Sequence, residues 1–268
     1  MKIIDLTPEH EKLYFLCLED WSDEIREAGN HKECWYRSMK DKGLRVKLAL
    51  DDKDKAGGMI QYVPVEHSFA EGNDLYMVLC IWVHGHKKGR GDFTKKGMGK
   101  ALLQSAEDDV RSMGKKGIAT WGLSLPFFMR ASWFKRHGYK VADKDGIRRL
   151  LWKPFTADAS APAWIKQNKK PGKVPGKVNI STFINGWCPA MNLVHERVIR
   201  AAPEFGDKVD VNIFKTDNRE LMKEWGISDA LFIDGRSIRI GPPPSFEKLR
   251  RRIGKRVNKL RRISNGVI

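Results

Sequence analysis

The chain has 268 residues, 41% of them hydrophobic, with 50 Lys and Arg against 33 Asp and Glu, a net charge of +17. That length exceeds one typical domain, so two are expected, and no apolar run reaches the ~18–20 residues of a membrane helix. Four scattered cysteines (Cys17, Cys34, Cys80, Cys188) with no CxxC pair exclude a disulfide framework and a Cys-rich zinc site, and no metal ligands are assigned. The N-terminus lacks the long apolar core of a signal peptide, which points to a cytoplasmic protein. The charge favours an anionic partner such as a nucleotide cofactor. No aromatic–basic recognition motif accompanies the basic C-terminal segment, so nucleic acid is not an expected partner.

In chain order, a short strand (Lys2–Leu6) leads through Thr7-Pro8, read as a helix cap and first helical position, into a helix from Glu9 to about Asp20. A helix over Lys32–Lys40 precedes strands at Arg45–Leu50 and Gly58–Val65, which pair as a hairpin. Leu75–Val83 is apolar on both faces, as a central strand is. After it comes Thr94-Lys95-Lys96-Gly97-Met98-Gly99-Lys100, a basic glycine turn opening a helix over Lys100–Met113. Glycine lets the backbone approach an anion closely, and the helix start adds its positive dipole end, so this turn is the candidate pyrophosphate cradle. A strand (Lys116–Trp121), a helix (Phe127–His137, stopped by Gly138) and a strand (Ile147–Lys153) close the first unit.

This order resembles the GNAT superfamily of acetyl-coenzyme A-dependent N-acetyltransferases. The motif carrying the likeness is Thr94-Lys95-Lys96-Gly97-Met98-Gly99, against the family's [Q/R]-x-x-G-x-[G/A], with Arg130-Ala131-Ser132-Trp133-Phe134-Lys135-Arg136-His137-Gly138-Tyr139 as its later motif. The resemblance covers about residues 1–155 and implies acetyl-CoA as cofactor and an amine of a small molecule or peptide as acceptor. It implies cofactor contacts at Ile81, Trp82 and Val83 of the central strand, at Thr94, Lys95, Lys96, Gly97, Met98, Gly99 and Lys100, and at Phe134. Two positions depart from the pattern. Thr94 stands where Gln or Arg opens the turn. Phe134 stands where many members carry the tyrosine that protonates the leaving thiolate. The candidate bases, at strand ends, are Glu66, His67, His84 and His86, with His84 favoured for following the central strand directly. Cys80, within the apolar run, reads as a core residue.

Residues 156–176 are small, polar, basic and breaker-rich, and read as a linker in which Trp164 docks on a domain. Residues 177–268 read as strand (Val178–Ile184), Trp187-Cys188-Pro189 turn, helix to about Ala202, strand (Val209–Lys215), short helix (Arg219–Trp225), strand (Ala230–Ile233), Asp234-Gly235 turn, strand (Ser237–Ile240) and a basic helix capped by Ser245. This order resembles the thioredoxin-like fold, and with the first unit it resembles the YoaP-type acetyltransferases. Met191 replaces the second cysteine of the redox turn, so dithiol chemistry does not carry over. Cys188 at a helix start remains a candidate reactive thiol, in a domain expected to recognise the acceptor or cover the acyl site. The expected class is therefore α/β (α+β): a mixed sheet flanked by helices, then a second α/β domain. Against the enzyme stand a non-catalytic acyl-CoA-binding protein, favoured by Phe134, and a thiol enzyme using Cys188.

Overall fold

The computed structural model describes residues 1–126 and 128–264, with side chains through 260. The elements are β1 (Lys2–Asp5), α1 (Pro8–Phe15), α2 (Asp23–Arg26), α3 (His31–Lys40), β2 (Arg45–Leu50), β3 (Ala56–Pro64), β4 (Ala70–Glu71), β5 (Leu75–Val83), α4 (Met98–Ser112) and β6 (Gly117–Leu123). They continue with α5 (Ala131–Arg136), β7 (Lys140–Asp145), β8 (Arg148–Pro154), β9 (Ala163–Trp164), β10 (Val178–Ile184), α6 (Pro189–Ala201), β11 (Val209–Lys215), α7 (Arg219–Trp225), β12 (Ala230–Ile233), β13 (Arg236–Ile238) and α8 (Phe246–Ser264). Two compact units result: Met1–Ser22 with Tyr36–Ile165, and Asp23–Trp35 with Lys166–Ile268. Segment 23–35, which chain order places in the first domain, thus groups with the second unit.

The first unit is a seven-stranded mixed sheet in the order β1-β2-β3-β5-β6-β8-β7. All neighbours are antiparallel except β5 and β6, which are parallel and joined through α4. Helix α4 buries Met98, Leu102, Leu103, Ala106 and Val110, a stripe at helical spacing, across β2, β3, β5 and β6. Tyr14 of α1 donates to Gln61 Oε1 at 2.6 Å; Gln61 alternates with the core residues Ile60 and Tyr62 of β3, so α1 covers the other face. The fold class is that expected: a mixed sheet flanked by helices, followed by a second α/β sheet unit.

The differences from the sequence reading are local. The first helix ends at Phe15 because Cys17 and Leu18 take left-handed conformations (φ 50° and 63°) that turn the buried Leu18 inward. Thr7 makes no backbone cap: its hydroxyl meets Glu9 and His10 side chains instead. The expected helix from Phe127 begins at Ala131, behind Met129 at φ 51°; Phe127 lies outside the described residues. Strand β7 went unread because its sequence, Lys-Val-Ala-Asp-Lys-Asp, is an exposed edge with little apolar alternation. Within 156–176, β9 pairs with β4, and the buried Trp164 stacks on Phe69 at 5.8 Å under Arg148.

The second unit is a four-stranded sheet in the order β11-β10-β12-β13, with β10 and β11 parallel around α6 and the remaining pairs antiparallel. Helices α6 and α8 cover one face through Val194, Val198, Leu249, Ile253 and Val257. On the other face Phe183 stacks on Phe214 at 4.5 Å, beside Trp225 of α7. Asp234 and Gly235, both at positive φ, make the hairpin turn, and Asp234 anchors Arg256 of α8 at 2.7 Å. Ser245 Oγ accepts from Lys248 N at 3.3 Å, the expected cap. The side chains of Arg261 and Arg262 lie outside the described residues.

Candidate functional site

The site begins with a defect in the sheet. Strand β5 pairs with β6 only over Leu75–Val78; beyond Val78 no residue of β6 stands opposite β5. At the same point the register between β5 and β3 slips, Gln61 facing Cys80 and Tyr62 facing Val78, so Leu79 is an extra residue. Such a bulge bends and twists its strand. The two parallel strands therefore part, and Trp121 of β6 ties the apex by donating its indole N–H to Leu79 O at 2.8 Å. Among the described residues, the edge of residues 79–83 facing the opening has no strand paired with it.

The chain leaves β5 and returns to open α4. His84 N donates to Gly57 O and Phe93 N to His84 O, both at 2.9 Å. Phe93 lies so close to Gly57 that a Cβ there would stand 2.4 Å from its ring, so only glycine lets the loop seat. Asp92 accepts from both the amide (2.8 Å) and hydroxyl (2.6 Å) of Thr94, bonds that hold its carboxyl below the ordinary value. Lys95 and Gly97 are both left-handed, at φ 61° and 82°. Gly97 caps α4 without a side-chain hydrogen bond, and the first turn of α4 holds no acidic residue. The first amides of α4 thus lack side-chain partners beneath a positive dipole end, the arrangement that receives an anion.

A cavity of about 530 Å³ opens here. Of the expected cofactor contacts, Ile81, Val83, Thr94, Lys95, Gly97, Met98, Gly99, Lys100 and Phe134 line it; Trp82 and Lys96 do not. Lys96 instead lies over the Phe93 ring, its Nζ 5.1 Å from the centroid. Strand alternation sends Trp82 to the opposite side of the sheet from Ile81 and Val83. Sequence reasoning missed Phe93, Met129, Arg130, Trp133 and Arg136. Arg130, Trp133 and Arg136 lie in the later motif quoted above, and the two arginines, at the two ends of α5, were further legible as cations beside a phosphate turn.

On its own side Trp82 joins an aromatic cluster. Its ring lies 5.9 Å from Phe128 and 6.3 Å from His86; Trp121 and Phe128 are 6.0 Å apart, Trp21 and His86 5.9 Å. The Trp82 indole N–H is buried with no hydrogen-bond partner among the described residues.

This geometry corrects the choice of base. His84 is fully buried, and its Nε2 receives the Trp21 indole N–H at 3.0 Å. Indole only donates, so that nitrogen is an acceptor and Nδ1 carries the proton to Gly91 O at 2.7 Å. Neither nitrogen remains for a substrate. Glu66 and His67 sit at the wrong end of the sheet: β3 runs antiparallel to β5, so its C-terminal end, just before Glu66, faces Tyr76 rather than Val83. His86 is at the right end, half-exposed, with Nε2 3.8 Å from Oε1 of the largely buried Glu19.

In the second unit Cys188 is the N-cap of α6, with Pro189 in the first turn, and is partly exposed. Beneath this turn burial raises the pKa of Asp229, which accepts from Asn185 N (3.1 Å) and Ser228 Oγ (2.7 Å). A cluster unread in the sequence lies farther along α6: His195 and Glu196, with His31 of α3. Burial, then the charge of His31, lowers the pKa of His195 to about 4, so its imidazole is neutral at neutral pH.

No family model matches the chain. No curated protein matches it either. Solved structures similar to it include the PaiA N-acetyltransferase from Thermoplasma acidophilum in complex with coenzyme A, 18% identical over 58% of this chain and 100% of that one (TM-score 0.39). Another is a putative acetyltransferase of the GNAT family from Desulfovibrio desulfuricans, 17% identical over 58% and 99% (TM-score 0.44). A third is an aminoglycoside 6′-acetyltransferase type Ii, 16% identical over 58% and 98% (TM-score 0.43).

Proposed function

We propose that the chain is an acetyl-CoA-dependent N-acetyltransferase of the GNAT type, acting on an amine of a small molecule or peptide in a direct transfer, and working in the cytoplasm. One observation carries this reading: β5 parts from β6 after Val78, and the glycine turn and bare start of α4 line the cavity that also holds Ile81 and Val83 of the parted strand. The residues present fit coenzyme A. The amides of Met98, Gly99 and Lys100 suit a pyrophosphate, Lys95, Lys100, Arg130 and Arg136 suit its charge, and Ile81, Val83, Met98 and Trp133 suit an apolar arm. When bound, the cofactor supplies an acyl group activated as a thioester.

The remaining tasks fall to the chain. The unpaired edge of residues 79–83 offers backbone N–H groups to polarise a carbonyl. His86, with the Glu19 carboxylate 3.8 Å away to favour its protonated form, takes the proton of the acceptor amine. The unpartnered Trp82 N–H is a donor for a polar group of the acceptor. Phe134 has no proton to give, so the thiolate leaves without a side-chain acid at that position. In the second unit, the strand order and the placement of Cys188 support a thioredoxin-like reading of the YoaP type. Met191 removes the resolving thiol, and we assign that unit to acceptor recognition rather than to redox chemistry.

The test is amine-dependent release of free thiol from acetyl-CoA across a panel of amines. We expect turnover with at least one class, and a kcat about 100-fold lower in His86→Gln with coenzyme A affinity unchanged. Tight coenzyme A binding with no thiol release from any amine would establish the rival reading that Phe134 favours, a binding protein on this fold.

A further inference from the structure

Acetyl transfer makes no use of the cluster at the start of α3 and the middle of α6. His31 Nε2 lies 2.6 Å from Glu196 Oε1, and the rings of His31 and His195 meet edge to face at 5.3 Å. One ligand-capable atom from each of the three residues lies within 4.8 Å of the other two. His195 is buried, while the side chains of His31 and Glu196 are 29% and 28% exposed. All three belong to the second unit.

We propose that His31, His195 and Glu196 form a binding site for one divalent transition-metal ion, zinc foremost, with a further coordination position open to water. Two imidazoles and one carboxylate form a donor set suited to a borderline ion such as zinc. A single carboxylate is a poor site for calcium or magnesium, which demand more oxygen ligands. The outer partner is already in place: His195 Nδ1 lies 3.1 Å from Thr182 Oγ1 of β10. With Nδ1–H donated to that hydroxyl, Nε2 keeps its lone pair and the ring is held in one orientation. Ligand atoms around a tetrahedral zinc stand about 3.4 Å apart, from bond lengths of about 2.1 Å. The 2.6 Å His31–Glu196 contact therefore opens slightly, and the atoms as much as 4.8 Å apart close, movements available to two partly exposed side chains. The rival account is a plain hydrogen-bonded staple between α3 and α6 that has no affinity for metal. The proposal is independent of the acetyltransferase reading.

The experiment uses the full chain, stripped with EDTA and titrated with zinc chloride by calorimetry. Retained metal is counted by mass spectrometry after gel filtration, and cobalt(II) serves as a spectroscopic probe. We expect one ion per chain, visible d–d bands with cobalt, and a rise in Tm on adding zinc. His31→Gln and Glu196→Gln, chosen because their side chains are partly exposed, lose stoichiometric binding and the zinc-dependent rise in Tm while keeping the wild-type circular dichroism. Thr182→Val weakens binding by about tenfold or more. Should either of these two variants unfold, cobalt bands in the wild type, weakened by Thr182→Val, remain the deciding readout. A wild-type chain that retains no ion, or an ion held undiminished in both variants, overturns the proposal.

Discussion

Replacing Gly97 by Asp and by Asn separates the fold of the glycine turn from its function. Gly97 sits at φ 82°, and a Cβ built there meets nothing within 4 Å. The cost of a side chain is therefore backbone strain alone, ~1–2 kcal/mol, and least for Asn and Asp, which tolerate the left-handed region. The two side chains have the same shape and differ by one charge. At the N-cap of α4, Asp stabilises the helix relative to Asn through the dipole by ~0.3–1 kcal/mol. Toward a pyrophosphate on the same amides the sign reverses. One negative charge about 5 Å from another costs ~0.8 kcal/mol at the dielectric of water and ~3 kcal/mol at an effective value of 20. The turn is exposed, so the lower figure is the safer one; two phosphate charges double it, to ~10-fold in affinity or more. Stability and binding should thus move in opposite directions: Gly97→Asp has the higher Tm of the pair and the weaker coenzyme A binding by calorimetry, and the gap in affinity narrows as salt is raised. Equal affinity in the two variants at low salt would refute the placement of the pyrophosphate.

Two other outcomes follow from the core around this turn. Phe134 is fully buried between Trp133 (4.9 Å) and Tyr139 (5.6 Å), so Phe134→Tyr should lower stability by ~1–3 kcal/mol while keeping or raising kcat. A folded variant that binds coenzyme A normally but loses turnover would show that this ring is not beside the leaving thiolate. Asp109 of α4 receives Arg45 through two nitrogens, at 3.0 and 2.8 Å, and the Tyr62 hydroxyl at 2.6 Å. Burial opposes its charge, but the hydrogen bonds from Arg45 and Tyr62 outweigh it and hold its pKa below the ordinary value. A depressed carboxylate stabilises the fold above the unfolded pKa of about 3.9, and that contribution is lost as pH falls through the folded value. Asp109→Asn should cost ~2–4 kcal/mol at pH 7, and the Tm difference from wild type should shrink below about pH 4; a difference that stays constant down to pH 3 would contradict this.

The fold was legible wherever burial left a periodic trace. Leu75–Val83 is apolar throughout because it is central to its sheet and packs on α4, and Val178–Ile184 is likewise central to its sheet. Strand β7 and the paired dipeptides β4 and β9 left no such trace, since an exposed edge or a two-residue bridge needs no apolar pattern. Segment 23–35 was unreadable for another reason. Its contacts are with Glu196, Arg197 and Arg200, some 170 residues away, where Arg197 donates to Glu24 at 2.8 Å and Arg200 to Glu27 at 2.7 Å. Charge pairs at that separation leave no signal in local periodicity.

The site divides along the same physical line. The glycine turn is a backbone device, and glycines whose positions are dictated by φ or by close approach announce themselves in sequence: Gly97 must be left-handed, and Gly57 must admit Phe93. The base is a side-chain device, and its availability depends on what its neighbours take from it. His84 and His86 look equivalent in the chain, two histidines just beyond the central strand. Trp21, more than 60 residues earlier, fills the only acceptor nitrogen of His84 and commits that ring to holding the loop in place. His86, two residues on, keeps an exposed ring, with Nε2 3.8 Å from Glu19 of the same N-terminal segment as Trp21. The N-terminal segment thus decides which histidine is structural and which stays exposed as the proposed base, a choice that spacing along the central strand could not express.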